Sequence, residues 1–97
     1  MNFNQIMQQA QKMQKDMKKA QEEVGNMKFT SKQELVEVEM DGNKKVTKMI
    51  ISKDIEKDDL EMLEDMTVIA VNDCIKQVDK AMESKLGKYA NMMPGIF

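Results

Sequence analysis

Apolar residues recur through the first 27 positions at Phe3, Ile6, Ala10, Met13, Met17, Ala20, Val24 and Met27, in alternating steps of three and four. That spacing is the seam of a helix that lies along another helix. The residues between are Gln, Lys, Glu and Asn, which favour or tolerate helix and stay wet. About residues 4–26 are therefore expected as one long amphipathic helix, closed by Gly25-Asn26. A seam one side chain wide, built largely of Met and Ala, demands a partner helix.

The period then changes. Val36, Val38 and Met40 alternate with Glu37 and Glu39, Asp41-Gly42-Asn43 supplies turn chemistry, and Val46 to Ile51 returns as a β-branched run. This predicts a hairpin. Lys28 to Thr30, around Phe29, predicts a short strand before it, with Ser31 to Gln33 as the connection. Facing in the last strand is left open, since Val46 and Ile50 share one parity while Thr47, Met49 and Ile51 share the other; a bulge or burial on both faces would explain it.

Asp58 with Glu61 three residues on has the form of a capping box, and Asp59, Glu61, Glu64 and Asp65 suit the positive end of a helix. A second long helix is expected from there to about Leu86, with Gly87 as its stop. Leu60, Leu63, Thr67, Ala70, Cys74, Val78 and Ala81 make its buried stripe, widened by Met66, Val71, Ile75 and Met82. The chain reads as one domain over residues 1–97, with 88–97 as a flexible Met- and Pro-containing tail.

Two helices of about 23 and 28 residues span roughly 35 and 42 Å at 1.5 Å per residue. A compact globule of 97 residues has a radius of gyration of only about 12–13 Å. At least one helix must overhang, and a three-stranded sheet with one helical layer also wants cover. The expected answer is a symmetric homodimer centred on the hairpin and the helix bases, with the helices projecting as arms.

Composition removes most chemistries. The chain has no histidine, no tryptophan, no arginine and a single cysteine, Cys74, so Cys/His zinc sites, His-based triads and disulfide frameworks have no residues to build them. No phosphate loop, dinucleotide fingerprint or nucleophile elbow is present. No enzyme, cofactor or metal site is expected. The acids Asp58, Asp59, Glu64 and Asp65 read as helix-end and solvated charges, and Asp41-Gly42-Asn43 as a turn. Cys74 reads as a small buried hydrophobe. The start MNFNQIMQQAQKMQ lacks a basic segment followed by an apolar run, and no stretch is long enough to span a bilayer, so the cytoplasm is the expected compartment, with no membrane partner.

Fifteen lysines against 17 acids give a net charge of −2, which by itself speaks against nucleic acid. Distribution matters more than the total. Lys12, Lys15 and Lys19 recur on the polar side of the first helix, with Lys18 adjacent. If the two helices pack antiparallel, residues 3–20 lie near residues 70–90, and Lys76, Lys80, Lys85 and Lys88 join the same end. These seven lysines are the candidate DNA-binding residues, at a basic arm end opposite an acidic base. Lys44, Lys45 and Lys48 read instead as cross-strand partners of Glu37 and Glu39.

The run Met7-Gln8-Gln9-Ala10-Gln11-Lys12-Met13-Gln14, Gln21-Glu22-Glu23, the strand-turn Val36 to Gly42, the stretch Glu61-Met62-Leu63-Glu64-Asp65 followed by Ala70-Val71-Asn72-Asp73, and the ending Met93-Pro94-Gly95-Ile96-Phe97 together resemble the YbaB/EbfC family of bacterial nucleoid-associated proteins. The resemblance spans nearly the whole chain. It implies an α+β subunit of α-β-β-β-α order, a tweezer-shaped homodimer, location in the nucleoid, and binding of double-stranded DNA without enzymatic activity, with effects on gene expression and nucleoid organisation. Because the chain carries lysine and no arginine, phosphate contact with little sequence preference is the expected mode. A second reading is a Met-rich helical scaffold or chaperone-like module that holds a protein segment through Met7, Met92 and Met93.

Overall fold

The computed structural model of the protein describes residues 2–90, with side chains as far as residue 87. Helix α1 (Phe3–Gly25) leads into strands β1 (Lys28–Lys32), β2 (Val36–Asp41) and β3 (Val46–Ile51), and after a short 3-10 turn (Lys57–Asp59) comes helix α2 (Leu60–Ala90). The expected α-β-β-β-α order is the observed one. The described part is elongated, 70 × 20 × 14 Å with a radius of gyration of 19.2 Å, far above the value for a globule of this length.

Each element is set locally. The Asn2 side chain accepts a hydrogen bond from the Gln5 backbone N–H at 2.9 Å and caps α1. At the hairpin tip Asp41 Oδ1 accepts from the N–H groups of Asn43 and Lys45, at 2.9 and 3.1 Å, while Lys44 takes a φ of 63°. The Asp41 carboxylate thus holds the turn together.

The sheet is antiparallel in the order β1-β2-β3. Phe29 and Ser31 of β1 and Val36, Val38 and Met40 of β2 are buried on one face, and the residues between them point away. Ala70, Cys74 and Val78 of α2 cover that face and form the main core with Val24, flanked by Leu63, Met66, Val71, Ile75, Ala81 and Met82. The expected stripe is therefore seated, except that its first member, Leu60, is 49% exposed. Cys74 donates weak hydrogen bonds to the carbonyls of Phe29 and Val38, at 3.7 and 3.6 Å.

Helix α1 takes no share of the sheet's covered face beyond Val24. It runs antiparallel to α2, where Met17 and Leu86 form a second, smaller core with Met13, Ala20 and Met82 around them. Its joint with the sheet is the hairpin tip: Gly42 N–H donates to the Gly25 carbonyl at 3.2 Å. A Cβ on Gly42 would stand 1.8 Å from the Val24 carbonyl oxygen. Only glycine allows that approach.

Four sequence expectations change, and one left open, the facing of β3, is answered. β1 runs on through Ser31 to Lys32 and the connection is Gln33 to Leu35, because Ser31 pairs with Val38 and Lys32 with Glu37. The capping box is formed two residues early, by Glu56 and Asp59. In β3 the parity conflict comes from a bulge opposite Glu39/Met40 that leaves Thr47 as the extra residue, and every residue of the strand is exposed. α2 passes through Gly87 to Ala90, since a mid-helix glycine with helix formers on both sides lowers stability without ending the helix. On α1 only Met13, Met17, Ala20 and Val24 of the seam are covered, while Phe3, Ile6, Ala10 and Met27 stay exposed. The rest of the expected tail, residues 91–97, lies outside the described residues.

Candidate nucleic-acid interface

Side chains on a helix advance about 100° per residue, so residues two apart stand about 160° from each other around the axis. Lys15 and Lys19 each lie two positions from the buried Met17, and Lys12 lies five away, about 140° round. All three are exposed, and all project from the side of α1 opposite its contact with α2. They form a ridge about 10 Å long. Gln8 and Gln11 continue it toward the tip and Lys18 borders it. Among the described residues, the ion pairs are Lys44 with Asp79 at 2.8 Å and Lys85 with Glu23 at 3.6 Å. None of the ridge lysines takes part in either.

The α2 lysines are placed differently. Lys76 and Lys80 are exposed and flank the buried Val78 at two residues on either side, so they face away from both the core and α1. They also sit at the level of the sheet, not at the arm end: Gln77, next to Lys76, donates to the Thr30 carbonyl at 2.8 Å. Asp73, Asp79 and Glu83 interleave with them along the helix. Lys85 lies between the arms and is held by Glu23. Lys88 falls within α2, but its side chain is outside the described residues.

Residues 3–20 therefore do not lie against residues 70–90. With Met17 beside Leu86 and Val24 beside Val78, only about residues 13–24 face residues 78–90. The single basic pole expected from the sequence is two ridges on opposite sides of the helix pair. Both have acids among their lysines: on α1 the exposed Asp16 and Glu22 stand within about 60° of Lys12, Lys15 or Lys19 around the axis.

Of the hairpin lysines, Lys48 stands opposite Glu39 across the strands as expected, whereas Lys44 departs from expectation. Lys44 reaches α2 through Asp79 instead of a strand, and the hydroxyl of Thr47 donates to Glu39 Oε2 at 2.8 Å. Of the carboxylates at the start of α2, Asp59 accepts from the Glu56 N–H at 3.0 Å, the work of a cap. Among the described residues no group of three or more His, Cys, Asp or Glu side chains is placed to hold a metal ion, and no helix is long and apolar enough to cross a membrane. Burial pushes the Cys74 thiol above its ordinary pKa, and the negative charge of Asp73 acts the same way, so the thiolate is disfavoured.

A second surface was only half legible. Val46, Met49 and Ile51 of β3 lie on the same face of the sheet as the core, yet α2 stops short of them and they are 40–46% exposed. Leu60, Met62, Val68 and Ile69 of α2 are 44–60% exposed nearby in the chain order of the base. The sequence signal was the mixed parity of β3, which belongs to an edge strand with apolar residues on both faces.

Comparison with known proteins adds a consistent result. Residues 1–93 match the YbaB/EbfC DNA-binding family. A nucleoid-associated protein of Lactococcus lactis subsp. cremoris is 43% identical over 97 residues, covering 97% of this chain and 98% of its own. One of Streptococcus thermophilus is 42% identical with the same coverage, and one of Streptococcus pneumoniae is 40% identical.

Proposed function

Because the chain belongs to the YbaB/EbfC DNA-binding family, we propose that it is a nucleoid-associated protein that binds duplex DNA as a homodimer, chiefly through the outward ridge of α1. The carrying observation is that Lys12, Lys15 and Lys19 are exposed, share one face and have no acidic partner among the described residues. DNA presents about one negative charge per 1.7 Å of axis, so a line of ammonium groups on a straight helix finds phosphates at any register. Lysine makes point contacts and lacks the rigid fork that reads guanine, so sequence preference is weak. The net charge of −2 is no obstacle, because the acids lie mainly on α2 and the sheet. Lys76 and Lys80 contribute less because they sit at the level of the sheet, and Lys85 because it pairs with Glu23; Lys88 stays a candidate contact.

The homodimer rests on the base. An exposed edge strand whose core-side face carries Val46, Met49 and Ile51 is a surface that a second copy would cover. Two-fold pairing there doubles the ridge and holds the copies apart. The protein would act in the cytoplasm at the nucleoid, influencing gene expression and nucleoid organisation by occupying DNA. Catalysis has no part in this reading.

Binding of a short fluorescent duplex, followed by anisotropy across salt concentrations, tests it. With three lysines from each of two copies, log K is expected to fall against log salt with a slope of about −5. Changing Lys12, Lys15 and Lys19 to Gln should weaken binding at low salt by roughly tenfold or more and flatten that slope. Unchanged binding would remove the assigned ridge, and no binding at low salt would remove DNA. Sedimentation as a folded monomer would remove the dimer.

A further inference from the structure

The outward face of α1 changes character along its length. Its lysines begin at Lys12, and from Phe3 to Gln11 the helix carries no charged side chain but five amides, Asn4, Gln5, Gln8, Gln9 and Gln11, all of them exposed. At about 100° per residue, Gln8 and Gln11 stand about 20° and 40° from Lys15 around the axis, in line with the lysine ridge. Gln9 and Gln14 stand about 120° and 100° from it, one on either side. Elsewhere in the subunit side-chain amides are engaged: Gln77 donates to the Thr30 carbonyl at 2.8 Å and Gln33 to the Ser31 hydroxyl at 3.2 Å. Among the described residues the amides of Gln8 and Gln11 make no such bond.

The register of the two helices sets this stretch apart. α1 and α2 are antiparallel with Met17 at Leu86, so Ala90, four residues farther along α2, comes level with about Met13. Among the described residues, nothing of α2 lies beside residues 3–12. A single helix is about 10–12 Å across, and the major groove of duplex DNA, about 12 Å wide, admits one. Gln8 and Gln11 are about 4.5 Å apart along the axis, a little more than one base step of about 3.4 Å. Gln11 is in turn about 6 Å from Lys15, so the lysines can rest on phosphates at the edge of the groove while the amides reach its floor. The acids near the ridge, Asp16 and Glu22, lie on the far side of Lys12 from these amides, and no carboxylate of α1 opposes DNA at that end.

Resting on the proposal that α1 binds duplex DNA, we propose that Gln8 and Gln11 enter the major groove and read adenine. A primary amide holds a donor and an acceptor side by side, and adenine offers the matching pair, an N7 acceptor beside an N6 donor, whereas guanine offers two acceptors. In each pair the glutamine Nε2 donates to adenine N7 and its Oε1 accepts from adenine N6. The lysines supply affinity that is indifferent to sequence, and the two amides add a preference for A·T pairs. That preference is modest, since it comes from two side chains in each copy.

Anisotropy of the full chain on three duplexes of equal length tests this: one of A·T pairs, one of G·C pairs, and one of A·T pairs in which every adenine is 7-deazaadenine. The A·T duplex should bind about tenfold more tightly than the G·C duplex. The 7-deaza duplex, which lacks the N7 acceptor and keeps its minor groove, should lose that advantage. Gln8→Ala with Gln11→Ala should lose it too, with the salt slope still about −5, and alanine on an exposed helix face preserves the fold. Gln9→Ala with Gln14→Ala, on the other faces of the same helix, should keep it. Equal binding of the A·T and G·C duplexes by the unaltered chain would overturn the proposal, as would an advantage that survives 7-deazaadenine or the loss of Gln8 and Gln11. Absence of binding to every duplex at low salt would instead remove the DNA reading and this inference with it, so the two failures are told apart.

Discussion

The base of the molecule and its arm are built from the same two helices and hold together in different ways. In the base α2 lies on a sheet, and Val36, Val38, Met40, Ala70, Cys74 and Val78 are at most 2% exposed. In the arm α1 meets α2 along a single line, and among the described residues its core is Met17 and Leu86 with three flanking side chains. A sheet under a helix is closed in two dimensions, whereas two helices side by side leave most of each surface in water. That openness gives α1 an outward face able to carry a lysine ridge. Stability and the proposed function are therefore drawn from opposite ends of the subunit.

The joint between the two regions is the most sensitive point. Gly42→Ala would push a methyl group to 1.8 Å from the Val24 carbonyl oxygen and 2.7 Å from the Gly25 Cα, and backbone on both sides leaves no flexible side chain to yield. The expected loss is about 3–4 kcal/mol, at or above the upper end for overpacking, read by urea unfolding at fixed protein concentration. A loss below 1 kcal/mol would mean that base and arm are not locked together at this turn.

The next comparison sets one methionine against another. Met40→Ala in the base removes a side chain 1% exposed between sheet and helix, and Met17→Ala in the arm removes one 7% exposed between two helices. About 3 kcal/mol is expected for the first and about 2 kcal/mol for the second, because neighbours in a two-helix contact can close over the gap more easily than a sheet can. Equal losses, or the reverse order, would break the distinction drawn between the regions.

How much of this was legible in the sequence follows the same division. Periodicity reports which residues face inward on an element, and it identified Met17, Val24, Val38, Ala70, Cys74 and Val78 without help. It could not report how far an element is covered. The heptad seam is as regular at Phe3 and Ile6 as at Met17 and Val24, yet only the latter meet the rest of the subunit. The lysine spacing on α1 likewise fixed one face of one helix. Joining it to Lys76 and Lys80 required the offset and the docking side of the two helices, which are tertiary quantities. The bulge at Thr47 left its trace as conflicting parity, but a trace of that kind does not say which residue is extra.

The smallest expected effect concerns the arm alone. Gly87 was read as the end of α2, yet the helix continues through it, and a Cβ built there meets no heavy atom within 4 Å. It has neither the left-handed backbone of a helix stop nor a close approach that requires the missing side chain. Glycine in a helix interior is less favourable than alanine by up to about 1 kcal/mol, through greater freedom in the unfolded chain. Gly87→Ala is therefore expected to raise stability by about 0.5–1 kcal/mol in the same urea assay. Since Gly87 follows Leu86, the gain should also appear as slower amide exchange in the last turns of α2 and not in β2. A loss of stability would show that the end of the arm departs from helix at this residue, and the register that brings Ala90 level with Met13 would fall with it.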